Sequence, residues 1–547
     1  MLGKMMTMPL LISSLLRHAE RHHGQVEVVS RRVEGDLHRY TWAECAARSR
    51  QLASALERAA IGQGDRIGTI AWNGYRHLEI YYGVSGLGAV THTINPRLHL
   101  DQIAWIVGHA ENIAIAFDLT FLPLVQALAP RCPSVRYWIA LCAQDQLPTD
   151  CPIQGLMAYE TLIADGDPKW QWPTFDENTA SNLCYTSGTT GDPKGALYSH
   201  RSTVLHAFAA SLPDAMALSA RDAVLPVVPM FHVNAWGLPY ASALVGAKLV
   251  LPGLHLDGAS LHNLFETEGV TISAGVPTIW LGLLNHLDAH SLRLSTLKRT
   301  VIGGSACPAT MIRSFRERFG IEVLHAWGMT EMSPLGTVCV LQNKHLKEPK
   351  EAQEKRLEKQ GAALFGVDLK IVNDAGKELP WDGKSAGNLM ARGPWVIREY
   401  FKGAGGDPLR HEADGTSWFP TGDVATLDFD GYMQITDRSK DVIKSGGEWI
   451  SSVELENLAM GYEGVAMAAV IGLPHPKWDE RPLLVVVPRP GAQLSRDAVL
   501  AYFAGKVARW SIPDDVQIVD AIPLGATGKI LKNLLRERFR DFRFTET

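Results

Sequence analysis

The chain has 547 residues, which is more than a single hydrophobic core usually accommodates, so two or more domains are expected. Hydrophobic residues make up 46% and charged residues 20%, and the formal net charge of −5 argues against a nucleic-acid-binding surface or a disordered acidic tail. Seven cysteines occur without a C-x-x-C pair or a zinc-like spacing, so free thiols in a reducing compartment are expected.

The N-terminal segment is apolar but does not have the pattern of a signal peptide. Pro9, Ser13 and Ser14 interrupt it, and no small-residue cleavage site appears before Arg17. No window of the sequence reaches the roughly 18 uninterrupted apolar residues of a membrane-spanning helix. We therefore predict a cytoplasmic protein without a transmembrane segment.

Strand-like and helix-like segments alternate along the first part of the chain. Residues 66–72 have the pattern of a strand and residues 76–86 that of a helix, and further buried strands are predicted at 222–228, 246–251 and 300–305. The alternation predicts an α/β fold with multi-layer, parallel-type sheets, in which ligands bind where the strands end.

The C-terminal part of the chain shows a different mixture of elements. Short strands at 468–472 and 483–488 alternate with helical segments, which predicts a small α+β domain. A Lys- and Glu-rich stretch upstream, residues 344–360, predicts a solvated helix. We place the two domains at residues 1–437 and 438–547.

A loop that follows the predicted strand 182–185 combines glycines, hydroxyls and a lysine. Glycines let backbone N–H groups turn toward an anion, hydroxyls add donors, and Lys194 adds charge. The loop is not a Walker A motif, because Lys194 is followed by Gly195 and Ala196. We predict that the loop binds phosphate through Thr186, Ser187, Gly188, Thr189, Thr190 and Lys194.

Four further motifs follow this loop in the chain. They are W-G-M-T-E at 327–331, T-G-D at 421–423, D-R-S-K-D-V-I-K-S-G-G-E-W-I at 437–450 and G-A-T-G-K-I at 525–530. With these motifs the chain resembles the acyl-adenylate-forming ligases, which include acyl-CoA synthetases, firefly-type luciferases and peptide-synthetase adenylation domains. The resemblance implies a large N-terminal domain that binds ATP and a carboxylic acid, and a small, mobile C-terminal domain. It also implies formation of acyl-AMP and pyrophosphate, followed by transfer of the acyl group to CoA with release of AMP.

Acid activation brings two anions together, so positive charge is the main requirement of the site. The resemblance assigns this role to Lys529, whose flexible side chain suits a mobile charge. It assigns Mg²⁺ binding to Glu331 with Thr186, since magnesium takes few protein oxygens, and phosphate contact to Thr330.

The resemblance also implies which residues bind the nucleoside. Trp327, with Gly328, stands where the family usually has Tyr or Phe against adenine, and an indole can stack there too. Asp423 is expected to accept hydrogen bonds from the ribose hydroxyls, and Arg438 to contact ribose or phosphate.

In the resembling family the small domain rotates between the two half-reactions. The hinge falls at Lys440 of this chain, and rotation replaces Lys529 by a loop that serves the thioester step. That loop comprises Lys444, Gly446, Gly447, Glu448 and Trp449.

The segment 231–240 resembles the branch that holds medium- and long-chain fatty-acyl-CoA ligases and methylmercaptopropionate-CoA ligases. Trp236 resembles an aromatic gate of the acyl pocket, His232 is expected near the reacting carboxylate, and Gly303 and Gly304 are expected to line the pocket. A short or medium acid such as 3-methylmercaptopropionate is favoured. A medium- or long-chain fatty acid is the alternative, because a movable indole could open the pocket.

Enzymes of other kinds share these motifs. A carrier-loading adenylation enzyme would have them all, but the chain ends close behind Lys529, which leaves no room for an attached carrier domain. A luciferase-like oxygenation is disfavoured by the match to the acyl-CoA branch. A nucleotide sensor would be expected to lack Lys529, Glu331 or Asp423, and all three are present. The nearest relatives suggest a homodimer.

Overall fold

The computed structural model describes residues 1–186, 192–446, 448–525 and 529–544, with the side chain of Glu448 left out. Part of the predicted phosphate loop therefore lies outside the described residues, namely Ser187, Gly188, Thr189 and Thr190. Gly447 and the Glu448 side chain of the predicted thioester loop lie outside them as well.

A seven-stranded sheet forms one layer of the described N-terminal part. Its strands are parallel except for the last pair, and in spatial order they are Leu156–Ala158, Tyr137–Ala140, Ala114–Phe117, Arg66–Ile70, Val90–Thr93, Ala180–Tyr185 and Gly195–Ser199. The central strands Ala114–Phe117 and Val90–Thr93 are buried throughout, as expected for parallel strands covered on both faces. The antiparallel pair at the edge brackets the predicted phosphate loop.

A larger sheet, 14-stranded in the described residues, lies beside the first and has a parallel half and an antiparallel half. The strands of the parallel half are Glu322–Gly328, Arg299–Ile302, Ile272–Gly275, Ala223–Pro226, Lys248–Leu251 and Glu27–Arg31, and Leu37–Thr41 pairs antiparallel at the edge. The antiparallel half continues from Glu322–Gly328 through Leu335–Val338, Gly361–Ala363, Tyr432–Arg438, Ser417–Leu427, Gly387–Arg392 and Asp368–Val372, with Arg410–His411 paired to Ser417–Leu427. The expectation of parallel-type sheets thus holds for the first sheet and for half of this one.

Helices pack against both sheets. They are Ile12–His23, Trp42–Arg58, Tyr75–Leu87, Leu100–Ala110, Leu122–Leu128, Tyr159–Ala164, His200–Ser211, Leu238–Val245, Gly258–Glu268, Pro277–His290, Ala309–Arg313 and Lys350–Leu357. Helix Trp42–Arg58 begins at a capping box, in which the Thr41 hydroxyl accepts from the Glu44 N–H. Every residue of helix Tyr75–Leu87 is buried, because the helix lies inside the domain rather than on its surface.

A separate five-stranded sheet builds the described C-terminal domain. Its strands are Ile443–Ser445, Glu448–Ile450, Val465–His475, Asp479–Pro488 and Asp515–Ile518, and its helices are Ser452–Met460, Arg496–Tyr502 and Lys532–Arg538. A hydrophobic core of its own includes Leu455, Val470 and Phe503. The predicted large and small domains are therefore confirmed.

The predicted strands and the helix 76–86 are present with bounds shifted by a few residues. The stretch 344–360 differs, because only Lys350–Leu357 is α-helical and Pro349 precedes it. His345, upstream of that proline, is buried and contacts Asp430, so the prediction of one solvated helix over 344–360 is wrong. In the part of the chain that the structure describes, no helix has the length and apolar character needed to cross a membrane.

Candidate active site

Lys529 of the C-terminal domain lies among charged residues at the edge of the N-terminal domain. Burial lowers the pKa of Lys529 to about 8, and Arg438 acts in the same direction while the carboxylates of Asp423 and Glu331 oppose it. The Gly525 N–H donates a hydrogen bond of 2.7 Å to the Lys529 carbonyl. The structure thus brings Lys529 together with three residues that the motifs assigned to nucleotide and metal binding.

Glu331 lies in the short 3-10 helix Thr330–Met332 and is only 8% exposed. Its Oε1 accepts a hydrogen bond of 2.7 Å from the hydroxyl of Tyr400. The hydroxyl of Tyr198 donates to the Thr330 carbonyl in the same turn. Tyr400 belongs to none of the motifs, so sequence reasoning missed it.

Thr186 and Lys194 are hydrogen-bonded to each other at the two ends of the predicted phosphate loop. The Thr186 N–H donates to the Lys194 carbonyl at 2.8 Å, and the Lys194 N–H donates to the Thr186 hydroxyl at 3.3 Å. The Lys194 ammonium lies 5.0 Å from the ring centroid of Tyr400. It also lies against Gly405, where a Cβ would approach it to 2.4 Å. Tyr400 therefore contacts both the predicted phosphate lysine and the predicted metal carboxylate.

The Trp327 indole is joined to Asp423 by a direct hydrogen bond. Nε1 donates to Oδ2 of Asp423 at 2.9 Å, and Arg438 Nε lies 3.6 Å from the other carboxylate oxygen. Asp423 and Arg438 face each other in neighbouring antiparallel strands, which explains their proximity. Gly328, next to Trp327, has no room for a side chain, since a Cβ there would lie 2.2 Å from the Pro334 carbonyl oxygen.

His232 lies near Lys529 at the end of the segment that follows strand Ala223–Pro226. Burial lowers its pKa to about 3, and the Lys529 ammonium contributes in the same direction. The imidazole is therefore neutral near pH 7 and can donate or accept one hydrogen bond, but it supplies no positive charge. A pocket beside it is lined by Thr93, Asn95 and Tyr185, at or just beyond the ends of parallel strands.

Trp236 lies over the two glycines predicted to line the acyl pocket. A Cβ on Gly303 would lie 3.3 Å from Cη2 of the indole, and one on Gly304 would lie 3.8 Å from Cζ2. The backbone from Val233 to Trp236 has φ between 46° and 55°, a left-handed turn that is unfavourable for residues with a Cβ. This turn directs the indole toward Gly303 and Gly304.

The predicted hinge and thioester loop lie at the start of the C-terminal domain. Arg536 contacts both the Lys440 carbonyl, at 3.5 Å, and the Asp441 carboxylate, at 2.6 Å. Lys444 and Trp449 are exposed and lie opposite each other in paired strands, and the Gly446 N–H donates to the Trp478 carbonyl at 2.9 Å.

Comparison with known proteins identifies the family of the chain. The profile of the AMP-binding enzyme family matches residues 15–401, and that of the AMP-binding enzyme C-terminal domain matches residues 454–529. A 3-methylmercaptopropionyl-CoA ligase of Ruegeria lacuscaerulensis is 56% identical over 99% of both chains. A medium-chain-fatty-acid–CoA ligase of Ectopseudomonas oleovorans is 53% identical over 99% of this chain and 98% of its own. The crystal structure of the anthranilate CoA ligase AuaEII with anthranoyl-AMP has a TM-score of 0.85 at 22% identity, covering 98% of each chain.

The chain therefore belongs to the AMP-binding enzyme family, as its motifs predicted. The predicted enzyme class, an AMP-forming acyl-CoA synthetase, is confirmed by CoA ligases that align with the chain over nearly their full length. The likeness to the solved structure confirms the fold.

Proposed function

We propose that the protein activates a carboxylic acid with ATP to give acyl-AMP and pyrophosphate, and then transfers the acyl group to CoA with release of AMP. The observation that carries this proposal is the position of Lys529, close to Asp423, Glu331 and His232. A cation at the meeting point of a nucleotide site and an acid pocket is what adenylate formation requires.

In the first half-reaction the carboxylate oxygen forms a bond to the α-phosphorus, and the bond from that phosphorus to the departing pyrophosphate breaks. Asp423 holds the ribose, Trp327 with Gly328 faces the adenine, and Arg438 contacts ribose or phosphate. The phosphates are bound by Thr186, Lys194 and Thr330, together with the loop residues outside the described part. The Lys529 ammonium lies between the two anions and stabilises the charge that they share.

His232 and Glu331 complete the site. The neutral imidazole of His232 can donate a hydrogen bond to the acid's carboxylate without competing for its charge. Glu331 keeps one carboxylate oxygen outside its bond with Tyr400, and the Thr186 hydroxyl is a second hard donor. Mg²⁺ takes few protein oxygens and keeps its other positions for phosphate and water, so this pair of oxygen donors suits it. When bound, Mg²⁺ would neutralise phosphate charge.

The second half-reaction uses another orientation of the small domain. We place the boundary between residues 437 and 438 and the hinge at Lys440, because the last strand of the large sheet ends at Arg438 and the small sheet begins at Ile443. Rotation would withdraw Lys529 and bring in Lys444, Gly446, Gly447, Glu448 and Trp449 for attack by the CoA thiol.

The proposed acid is short or medium in length, with 3-methylmercaptopropionate favoured. The position of Trp236 against Gly303 and Gly304 supports a short acid, and so does the identity to the Ruegeria ligase. A medium- or long-chain fatty acid is the second candidate, and the medium-chain ligase of Ectopseudomonas at nearly the same identity supports it. Loading of a free carrier protein instead of CoA is the third. A cytoplasmic location and a homodimer stay predictions.

The two half-reactions can be measured separately in a Lys529→Ala variant. We expect pyrophosphate release from ATP and acid to fall at least about a hundredfold, because a preorganised charge on the transition state is lost. Conversion of supplied acyl-AMP and CoA into acyl-CoA should continue within about threefold of the unmodified protein. Retention of pyrophosphate release in the variant would remove Lys529 from its assigned role.

A further inference from the structure

The hydrogen bond between Trp327 and Asp423 goes beyond the roles assigned so far to either residue. We propose that Trp327 is a positioning residue for the ribose site, whose indole N–H fixes the Asp423 carboxylate for recognition of the ribose hydroxyls. The inference rests on the proposed use of ATP at this site. It adds a sugar-recognition role to a side chain otherwise expected only to stack on adenine.

The geometry of the pair supports a directed contact. The Nε1–Oδ2 distance of 2.9 Å is that of a good hydrogen bond, and both residues are only 8% exposed. An indole is a donor only, so it cannot compete with Asp423 as an acceptor for the ribose hydroxyls. Each carboxylate oxygen has two lone pairs, so Asp423 can accept from the indole and from the ribose at the same time.

The other side chain that approaches the Asp423 carboxylate makes a weaker contact than the indole does. Arg438 lies 3.6 Å from Oδ1 and is half exposed, which is too long for a strong hydrogen bond. The backbone N–H of Asp423 is occupied by the Thr421 hydroxyl at 3.2 Å. Without the indole the carboxylate could take other rotamers, and each hydroxyl of the ribose would meet a less ordered acceptor.

The fold makes room for an indole at this place. Trp327 lies in strand Glu322–Gly328 and pairs with Thr337, and its six-membered ring lies against Gly336. A Cβ on Gly336 would approach the ring to 2.6 Å, so any larger residue there would push the indole away. Trp327 and Gly336 therefore form a matched pair that sets the position of Nε1.

The test compares ATP with 2′,3′-dideoxy-ATP, which lacks both ribose hydroxyls, by pyrophosphate release with a saturating acid. In W327F a ring remains to stack on adenine but the N–H is lost. The ratio of kcat/KM for ATP to that for the dideoxy analogue should fall about tenfold, as expected for a hydrogen bond to a charged acceptor. A merely structural role of Trp327 would lower both values equally and leave the ratio unchanged, and that result would overturn the proposal.

Two further variants sharpen the result. W395F removes another buried indole, which donates to the Leu335 carbonyl at 3.0 Å in the same core, and should leave the ratio unchanged. If W327F does not fold, G336A decides the question, since it keeps Trp327 but displaces the indole. A fall of the ratio in G336A supports the proposal, and an unchanged ratio overturns it. If the unmodified protein releases no pyrophosphate with either nucleotide, the proposed function itself fails.

Discussion

Lys529 and His232 show how the same burial acts on two different side chains. It lowers the pKa of the lysine to about 8 and that of the histidine to about 3. For both groups the neutral form is favoured, because the charged form is the one that loses solvation. Near neutral pH Lys529 is still mostly charged while His232 is neutral, so the two can serve as cation and hydrogen-bonding group side by side.

The pH dependence of adenylate formation should report the ionisation of Lys529. Its charged form exists below a pKa of about 8 and is lost as the pH rises, so kcat/KM for ATP should fall about tenfold per pH unit above that value. We expect no change in kcat/KM between pH 5 and 8 from the ionisation of His232, because its pKa lies well below that range. The measurement is pyrophosphate release from pH 5.5 to 10.

Lys529→Arg is the matched control for this profile. An arginine keeps its charge up to pH 12 or more, so the alkaline limb should disappear even if the overall rate is lower. A limb that stays in the arginine variant would assign the ionisation to another group.

At the level of elements, contacts between the last strand of the large sheet and the first helix of the small domain hold the observed orientation. The Ser452 N–H donates to the Asp437 carboxylate at 2.6 Å, and the Ser451 hydroxyl donates to the Thr436 carbonyl. The Lys532 ammonium contacts both the Ser452 hydroxyl and the Glu456 carboxylate. Since Asp437 precedes the proposed hinge and Ser452 follows it, rotation has to break the first two bonds.

Ser452→Pro tests this contact without disturbing the helix. Ser452 is the first residue of helix Ser452–Met460, where proline is well accepted, and Ser451 has the extended backbone that proline requires before it. The variant loses the N–H donor to Asp437, so we expect pyrophosphate release to slow by up to about tenfold. Thioester formation from supplied acyl-AMP should be at least as fast as before.

Ser452→Ala separates the two functions of this residue. It keeps the N–H and loses only the hydroxyl that contacts Lys532. Equal rates of both half-reactions in the proline and alanine variants would show that the Asp437 contact does not stabilise the adenylate-forming orientation.

For the molecule as a whole, the motifs predicted the family, the two domains and the set of residues that meet around Lys529. Gly-rich and charged motifs could be recognised because each carries its chemistry in a short stretch of chain. Tyr400 and Gly405 could not be recognised from the sequence. Tyr400 contacts Glu331, and Gly405 contacts Lys194, only because the fold brings distant segments together. The antiparallel half of the large sheet was also not predicted, although several of its pairs join strands that are neighbours in the chain, such as Ser417–Leu427 with Tyr432–Arg438.

The size of the acid should depend on Trp236 more than on any other described side chain. Trp236→Ala would open the space beside Gly303 and Gly304, so kcat/KM for octanoate should rise at least about tenfold relative to that for 3-methylmercaptopropionate. The Trp395→Phe protein, changed at a tryptophan elsewhere in the N-terminal domain, should keep the original order of acids. An unchanged preference in Trp236→Ala would show that the indole does not limit the pocket.

The most direct measurement of the proposed function is CoA-dependent AMP formation by the unmodified protein. It compares 3-methylmercaptopropionate, butyrate, octanoate, palmitate and phenylacetate by their kcat/KM values. We predict strict dependence on CoA and the highest value for 3-methylmercaptopropionate. A maximum at octanoate or palmitate would contradict 3-methylmercaptopropionate as the favoured acid, and AMP formation that does not depend on CoA would contradict the ligase assignment itself.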